Sequence, residues 1–258
     1  MSFEFDGEKY KVASRHQKAM GRDVIAEFEL RGNEAILDLG CGDGVLTERL
    51  AELVPAGRVI GIDASSGMIK TAVKLRRHNL AFLQADINEL NYKNEFDVIF
   101  SNAALHWIMD HTQLLQNVRR ALKPGGIARF NFAAAGNCAN FFEVVRHVMA
   151  DESFSGYFSQ FEWPWYMPTI ADYDALVSRS SFSEARVWGE IRDVFFENAE
   201  EMIGWLDQPA LVPFLKVFDG ADAERFRSAV IEQMLDRTMY PSGKCFETGR
   251  RVNIFARK

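Results

Sequence analysis

The sequence predicts an α/β fold built on a doubly wound parallel sheet. Three observations carry this. From Ile36 to Phe132, short apolar runs of strand length alternate with segments whose apolar residues recur at helical spacing. The first run, Ala35-Ile36-Leu37-Asp38-Leu39, passes directly into Gly40-Cys41-Gly42-Asp43-Gly44, and Val45, Leu46, Leu50 and Leu53 follow at helical positions. A second run, Val59-Ile60-Gly61-Ile62-Asp63, ends in an acid about 20 residues beyond the glycines, at the strand edge where such sheets take ligands.

An unbroken apolar run is what a strand covered on both faces requires. Glycine accepts positive φ and lets a ligand approach backbone that a Cβ would shield. The helix after the turn offers unpaired N–H groups and the positive end of its dipole. The spacing is G-x-G-x-G, not the G-x-G-x-x-G of dinucleotide-binding folds. Asp43 inside the turn would repel a phosphate and suits a ligand with an ammonium group. Both features argue against a nucleotide-dependent dehydrogenase.

Phe82-Leu83-Gln84-Ala85-Asp86-Ile87 reads as the third strand, Glu95 to Asn102 as the fourth and Ile127 to Phe132 as the fifth, after the turn Leu122-Lys123-Pro124-Gly125-Gly126. Helices are expected over Leu46 to Leu53, Ser66 to Arg76 and His111 to Ala121. Residues 10–30 read as helical, with Val24, Ile25 and Phe28 on one face. Beyond the fifth strand, Phe141, Phe142, Val145 and Val148 keep helical spacing. A dense aromatic patch follows, from Phe154 to Tyr166, able to build a small core or line an apolar pocket. Thr169 to Ser178 reads as a helix capped by Thr169. Phe182 to Trp188 fits a sixth strand, and Asn198 to Trp205 and Ala223 to Asp236 read as helices with a break over Gln208 to Phe214. Arg250 to Arg257 is an alternating closing strand.

The string E-A-I-L-D-L-G-C-G-D-G resembles motif I of the class I S-adenosylmethionine-dependent methyltransferases, and the later elements follow in that family's order. The resemblance implies a Rossmann-like seven-stranded sheet whose last strand is antiparallel and inserted beside the sixth. It implies one domain over 1–258, with an N-terminal helical lid at 1–30 and insertions at 136–168 and 197–243 forming a helical cap. It implies S-adenosyl-L-methionine as cofactor and S-adenosyl-L-homocysteine as product. Asp63 would then hold the ribose diol and Asp86 the adenine amino group. Ala64-Ser65-Ser66-Gly67-Met68 is similar to the family's D-x-S-x-x-M, which places Met68 near the adenine. The same correspondence assigns Asp38, Gly40, Cys41, Gly42, Ala64, Ile87, Ser101, Asn102 and Ala103 to the cofactor. In the lid, Tyr10 is the foremost candidate, with Ser14, His16 and Gln17 beside it.

Ser101-Asn102-Ala103-Ala104-Leu105-His106-Trp107-Ile108 resembles the trans-aconitate methyltransferases and, in its His-Trp pair, the insect juvenile hormone acid methyltransferases. Both are carboxylate O-methyltransferases acting on small molecules. His106 and Trp107 are therefore the candidates for catalysis, and these two with Trp165 and Trp205 for substrate binding. A carboxylate, with pKa near ~4, is already ionised and needs no general base. Catalysis then reduces to alignment and exclusion of water. If His106 is a general base instead, the acceptor is a hydroxyl or amine. A carbon acceptor, a carrier-bound acyl group and a non-catalytic cofactor-binding module compete with these two. One departure stands out. Where the trans-aconitate group has an Arg before its Pro-aromatic-Leu, this chain has Val212, which points towards a more apolar acid or another apolar acceptor.

Composition bounds the rest. The chain has 258 residues, 48% hydrophobic and 26% charged, with a formal net charge of −6. The negative balance argues against nucleic acid as the main partner. No apolar run is long enough to span a bilayer, and the start Met1-Ser2-Phe3-Glu4-Phe5-Asp6 lacks a signal-peptide pattern. Cys41, Cys138 and Cys245 show neither C-x-x-C spacing nor partner histidines, so neither a disulfide nor a metal site is expected. The expectation is a cytoplasmic enzyme, monomer or weak dimer, with a small-molecule substrate.

Overall fold

The computed structural model describes residues 4–7, 10 and 13–258. Residues 1–3, and positions 8–9 and 11–12 of the expected lid, lie outside the described residues. The chain divides into two units: residues 1–135, 165–190 and 251–258 form one, and 136–164 and 191–250 the other.

The first unit is organised by a seven-stranded sheet of order β3-β2-β1-β4-β5-β9-β6. Its strands are β1 (Ala35–Leu39), β2 (Arg58–Asp63), β3 (Leu80–Gln84), β4 (Phe96–Asn102), β5 (Leu122–Ala133), β6 (Glu184–Ile191) and β9 (Arg250–Arg257). All five residues of β1 are buried, as the apolar run requires. Leu37 pairs in parallel with Ile60 of β2 and Ile99 of β4. The closing strand β9 runs antiparallel to β5, with Arg129 opposite Phe255, and lies between β5 and β6.

The helices cover both faces. Ile36 packs with Val24 and Ile25 of α1 (Arg15–Ala26), Leu50 and Ala51 of α2 (Val45–Leu53) and Ala72 of α3 (Ser66–Ala72). Leu37 and Leu39 point the other way, into a cluster with Leu114, Leu115 and Val118 of α4 (His111–Ala121). Alternation along a strand produces this division. Each fully buried Leu, Ile or Phe contributes roughly 1.5–3 kcal/mol. Caps fix the helix starts: Ser65 accepts from Met68 N, and Asp110 Oδ1 accepts from Gln113 N at 2.9 Å.

The second unit holds α5 (Ala139–Met149), α7 (Ala199–Trp205), α8 (Val212–Leu215) and α9 (Ala221–Thr238); α6 (Ile170–Ser178) belongs to the first. Two features differ from the sequence reading. The expected break over Gln208 to Phe214 is helical: a π-type turn spans Leu206–Ala210, closed by Leu211 N on Leu206 O at 2.8 Å, and α8 follows. Pro213 sits in the first turn of α8, where a missing N–H costs nothing. A two-stranded sheet also forms from β7 (Val194–Phe196) and β8 (Cys245–Glu247), which pair across about 50 residues of sequence.

The aromatic patch resolves into two fates. Phe154, Phe158, Phe161 and Trp163 build the core of the second unit against Phe214, Phe218 and Phe226, with Phe161 stacked on Phe214 at 5.1 Å and Phe158 5.2 Å from Phe226. Trp165 and Tyr166 belong to the sheet unit. No helix among the described residues is long and apolar enough to cross a membrane.

Candidate active site

The glycine turn joins β1 to α2. Gly40, Gly42 and Gly44 have φ of +73°, +55° and +84°. The constraint is sharpest at Gly40, where a Cβ would overlap that of Ala104. Gly40 N and Cys41 N both donate to Ile62 O at 2.9 Å, tying the turn to β2. Asp43 is buried and lines the cavity against this turn. Lys18 of α1, itself largely shielded, donates to its Oδ2 at 2.5 Å. The cation that Asp43 suits is thus supplied by the chain itself, a partner that sequence spacing could not reveal. Asp38 is buried, and its Oδ2 accepts from Thr47 Oγ1 at 2.7 Å. Burial pushes its carboxyl up to about 7, outweighing the Thr47 bond.

Asp63 ends β2 and braces the turn. Its Oδ2 accepts from Gly42 N and its Oδ1 from Ser65 N, both at 2.9 Å. Burial raises its pKa, and these two bonds oppose the rise. Next to it, Glu4 accepts from Ser66 N, Gly67 N and the Ser65 hydroxyl at the start of α3. Asp86 turns its Oδ1 onto Asn88 N and Nδ2, both at 2.8 Å, capping the short turn Ile87–Glu89. Met68 is buried in the first turn of α3.

A small cavity of about 40 Å³, partly open to solvent, lies against the glycine turn. Of the residues expected to hold cofactor, Tyr10, Asp38, Gly40, Cys41, Gly42, Asn102 and Ala103 line it. Asp63, Ala64, Met68, Asp86, Ile87 and Ser101 are not among its walls. Ser101 instead donates its hydroxyl to Leu39 O at 2.7 Å. From α1 and the segment before it come Ser14, Gln17 and Lys18; His16 does not line the cavity. Ser14 Oγ, Gln17 Oε1 and Asn102 Oδ1 are buried there without a hydrogen-bond partner. Unpaired buried polar atoms are costly, and three around one cavity mark a ligand site. Tyr10 sits over the turn, its Cε1 3.9 Å from where a Cβ of Gly42 would be. Burial, with Asp43 and Asp63 nearby, pushes its phenol up, so it stays neutral.

After β4 the backbone turns sharply. Ala103 has φ +56°, and its N–H donates to Asn131 O of β5 at 2.7 Å. The turn Leu105–Trp107 then presents His106 and Trp107 side by side, ring centroids 5.5 Å apart. Trp165 lies 5.2 Å from Trp107, and Phe5 lies 5.8 Å from it. Trp205 belongs to the second unit, where it packs on Phe141 and Phe196. Part of His106 reaches the surface, but its Nδ1 is buried and unpartnered. Burial first, then the charges of Arg251 and His111, push its pKa down to about 3. His111 is committed to structure, its ring nitrogens engaged by Tyr173 OH at 2.8 Å and Leu105 O at 3.0 Å.

A family model described as a methyltransferase domain matches residues 30–167, more than half of the chain, and its range takes in the glycine turn, Asp63, Asp86 and the His106-Trp107 turn. The chain belongs to the class I S-adenosylmethionine-dependent methyltransferases. Within them it falls in the trans-aconitate methyltransferase-like group. It is 33% identical over 222 residues to a trans-aconitate 2-methyltransferase of Deinococcus radiodurans, covering 85% of each chain. A trans-aconitate 2-methyltransferase of Methylobacterium nodulans is 27% identical over 258 residues, covering 96% of this methyltransferase and 99% of the relative. In fold it is similar to phosphoethanolamine N-methyltransferase 2 of Haemonchus contortus, solved with S-adenosyl-L-methionine. The TM-score is 0.62 at 20% identity, over 98% of this chain and 56% of that one. A putative methyltransferase of Bacillus halodurans gives a TM-score of 0.60 at 16% identity, over 93% and 99%.

The methyltransferase uses S-adenosyl-L-methionine as cofactor, and the donor set fits that molecule in kind. Its ammonium and sulfonium are cations. The three unpartnered buried atoms are a hydroxyl and two amide oxygens, all able to accept, and Asp38 adds a carboxyl beside them.

Proposed function

We propose that this enzyme methylates a carboxylate oxygen of a small organic acid. One observation carries the choice of acceptor. His106, the titratable side chain beside Trp107, has its Nδ1 buried with no group to orient it as a base, and burial pushes its pKa down to about 3. An imidazole so weakly basic is poorly matched to taking a proton from a hydroxyl or an amine at neutral pH. A carboxylate asks for none. The curated relatives named as trans-aconitate 2-methyltransferases support the same reading.

In this reading Asp63 binds the ribose hydroxyls, and Gly40 and Gly42 let the cofactor lie against backbone. Ser14, Gln17 and Asn102 accept from its amino group, and Tyr10 serves as part of an N-terminal lid. S-adenosylmethionine supplies a methyl group on a sulfonium, which departs to a nucleophile while the bonding pair returns to sulfur. His106 and Trp107 offer N–H donors that orient the acceptor, and the aromatic rings of Phe5, Trp107 and Trp165 keep water out.

The test is incubation with methyl-labelled S-adenosylmethionine and a panel of aliphatic, aromatic and tricarboxylic acids, with products identified by mass. Labelled methyl esters are expected. At saturating cofactor, kcat is expected to stay flat from about pH 6 to about 9, because no group at the acceptor must lose a proton. A profile breaking near ~6.5, with label on nitrogen or a hydroxyl, would make His106 a base and overturn the carboxylate assignment.

Asp38 gives a separate pH dependence, in cofactor binding. With its pKa at about 7, the carboxyl is neutral below that pH and ionised above it. A cationic ligand favours the ionised form. The affinity for S-adenosylmethionine is therefore expected to rise roughly tenfold between about pH 6 and about 8. Asp38→Asn should abolish that slope. Equal slopes in both proteins, measured by calorimetry, would remove Asp38 from the cofactor site.

A further inference from the structure

We propose that a basic pocket on the sheet unit, formed by Lys93, Arg119, Arg120 and Lys258, binds a compact, multiply charged anion of the phosphate class. The pocket shares no residue with the cofactor cavity, and the proposal goes beyond methyl transfer.

The pocket has a volume of about 330 Å³. Small-ligand sites run from about 300 to about 1,000 Å³. Every residue of its wall is polar or basic, and none is an aspartate or glutamate. Four cations around one hollow invert the local balance in a chain of net charge −6. None of the four is in an ion pair among the described residues. The carboxylates next to the pocket in sequence are engaged elsewhere: Glu95 faces Arg58 at 3.6 Å, and Glu184 faces Arg257 at 3.1 Å. With no apolar wall to cover a ring or a chain, the hollow suits a small charged head.

Three of the four cationic heads are fixed by neutral acceptors. Arg119 Nε donates to Ser181 O at 2.8 Å, and Arg120 Nη2 to Asn117 Oδ1 at 3.0 Å. Lys258 Nζ donates to Asn94 Oδ1 at 2.8 Å and to Leu122 O at 2.7 Å. Such bonds orient a cation and leave its charge in place. Lys93 is exposed and makes no hydrogen bond among the described residues. The C-terminal end of α4 accounts for part of the cluster, since Arg120 O also accepts from Lys258 Nζ at 3.4 Å. A helix end carries only about half a negative charge, against four full positive ones. The surplus leaves a mark: burial first, then the charges of Arg119 and Lys93, hold the Lys258 ammonium below its ordinary pKa. An anion in the hollow relieves that repulsion, and guanidinium and ammonium donors match phosphate oxygens.

The backbone points the same way. Among the described residues, four other than glycine have positive φ, and two of them, Asn94 at +54° and Ser181 at +61°, stand in this wall. Strained backbone gathers at ligand sites. Lys93 precedes β4, Arg119 and Arg120 end α4, and Lys258 follows β9. The pocket therefore lies at the N-terminal edge of β4. The glycine turn follows the other end of β1, which runs parallel to β4. The length of these strands sets the two roughly 15–20 Å apart.

Titration of inorganic pyrophosphate into the whole chain, pre-loaded with S-adenosylhomocysteine and followed by calorimetry at about 50 mM salt, tests this. Wild type is expected to bind, and to lose about tenfold or more in affinity at about 300 mM salt. K93Q, which breaks no bond, should weaken binding roughly three- to tenfold, and K93Q/R119Q at least about 30-fold. R49Q removes an exposed cation outside the pocket and should stay within about twofold of wild type. Affinity for S-adenosylhomocysteine should be the same in all four proteins; if the double variant loses it, K93Q alone decides. Vesicles containing phosphatidic acid separate the two sources of the phosphate. Sedimentation of wild type but not of K93Q/R119Q would assign a lipid headgroup, and pyrophosphate binding without sedimentation a soluble anion. No binding by wild type, or equal binding by wild type and K93Q, would overturn the proposal. So would a loss in R49Q as large as that in K93Q, since the attraction would then belong to the surface at large.

Discussion

Asp63→Ala is expected to weaken S-adenosylmethionine binding by roughly 100- to 1000-fold. The carboxylate does two things at once. It holds Gly42 N and Ser65 N, each at 2.9 Å, and so fixes the glycine turn against the start of α3. In the proposed site it also receives the ribose hydroxyls. Alanine removes both roles and leaves two N–H groups to find new partners. Each lost charge-assisted bond is worth about 1.5–3 kcal/mol, so losing the two to the ribose hydroxyls, at the lower end of that range, gives a loss of this order. Asp63→Asn keeps the shape and an acceptor oxygen, and should fall between. Calorimetry at one pH separates the three proteins. An alanine variant within about threefold of wild type would take Asp63 out of the cofactor site.

Gly40→Val is expected to abolish activity and to destabilise the sheet unit by about 2–5 kcal/mol. Two penalties add. A φ of +73° is costly for any residue with a Cβ, and most for a β-branched one. The new Cβ also overlaps that of Ala104, which can retreat only by shifting the turn that carries His106 and Trp107. Gly125→Ala is the control. It has φ +77° but nothing within 4 Å of an added Cβ, so it should pay the backbone penalty alone, about 1 kcal/mol, with activity intact. Thermal melts and turnover distinguish the two. Equal losses in both variants would mean that the close approach at Gly40 is unimportant.

The sheet was legible in the sequence because its strands are short apolar runs covered on both sides, and that pattern needs no partner to be read. Ile36 to Leu39 and Val98 to Phe100 are examples. The position of Asp63 was legible for the same reason, since a strand end is a local feature. What escaped depends on contacts between distant residues. Lys18 reaches Asp43 across 25 positions. Strands β7 and β8 are three residues each, too short for any alternation to show. Pro209 and Pro213 read as breakers, yet a π-type turn and a first-turn proline keep that stretch helical. Arg251 read only as one charged position on an alternating strand. Its burial and its grip on Asn131 follow from β9 pairing with β5, which spacing alone does not specify.

The placement of β9 has a consequence for how this chain matures. The strand that comes last in sequence is wedged between two that are made earlier, so until it arrives β5 and β6 have no neighbour to zip onto on their facing sides. A nascent chain stalled before residue 250 would carry open ribbon edges, a sticky intermediate prone to self-association. Completion of the architecture is then a late event, set by the arrival of its last strand.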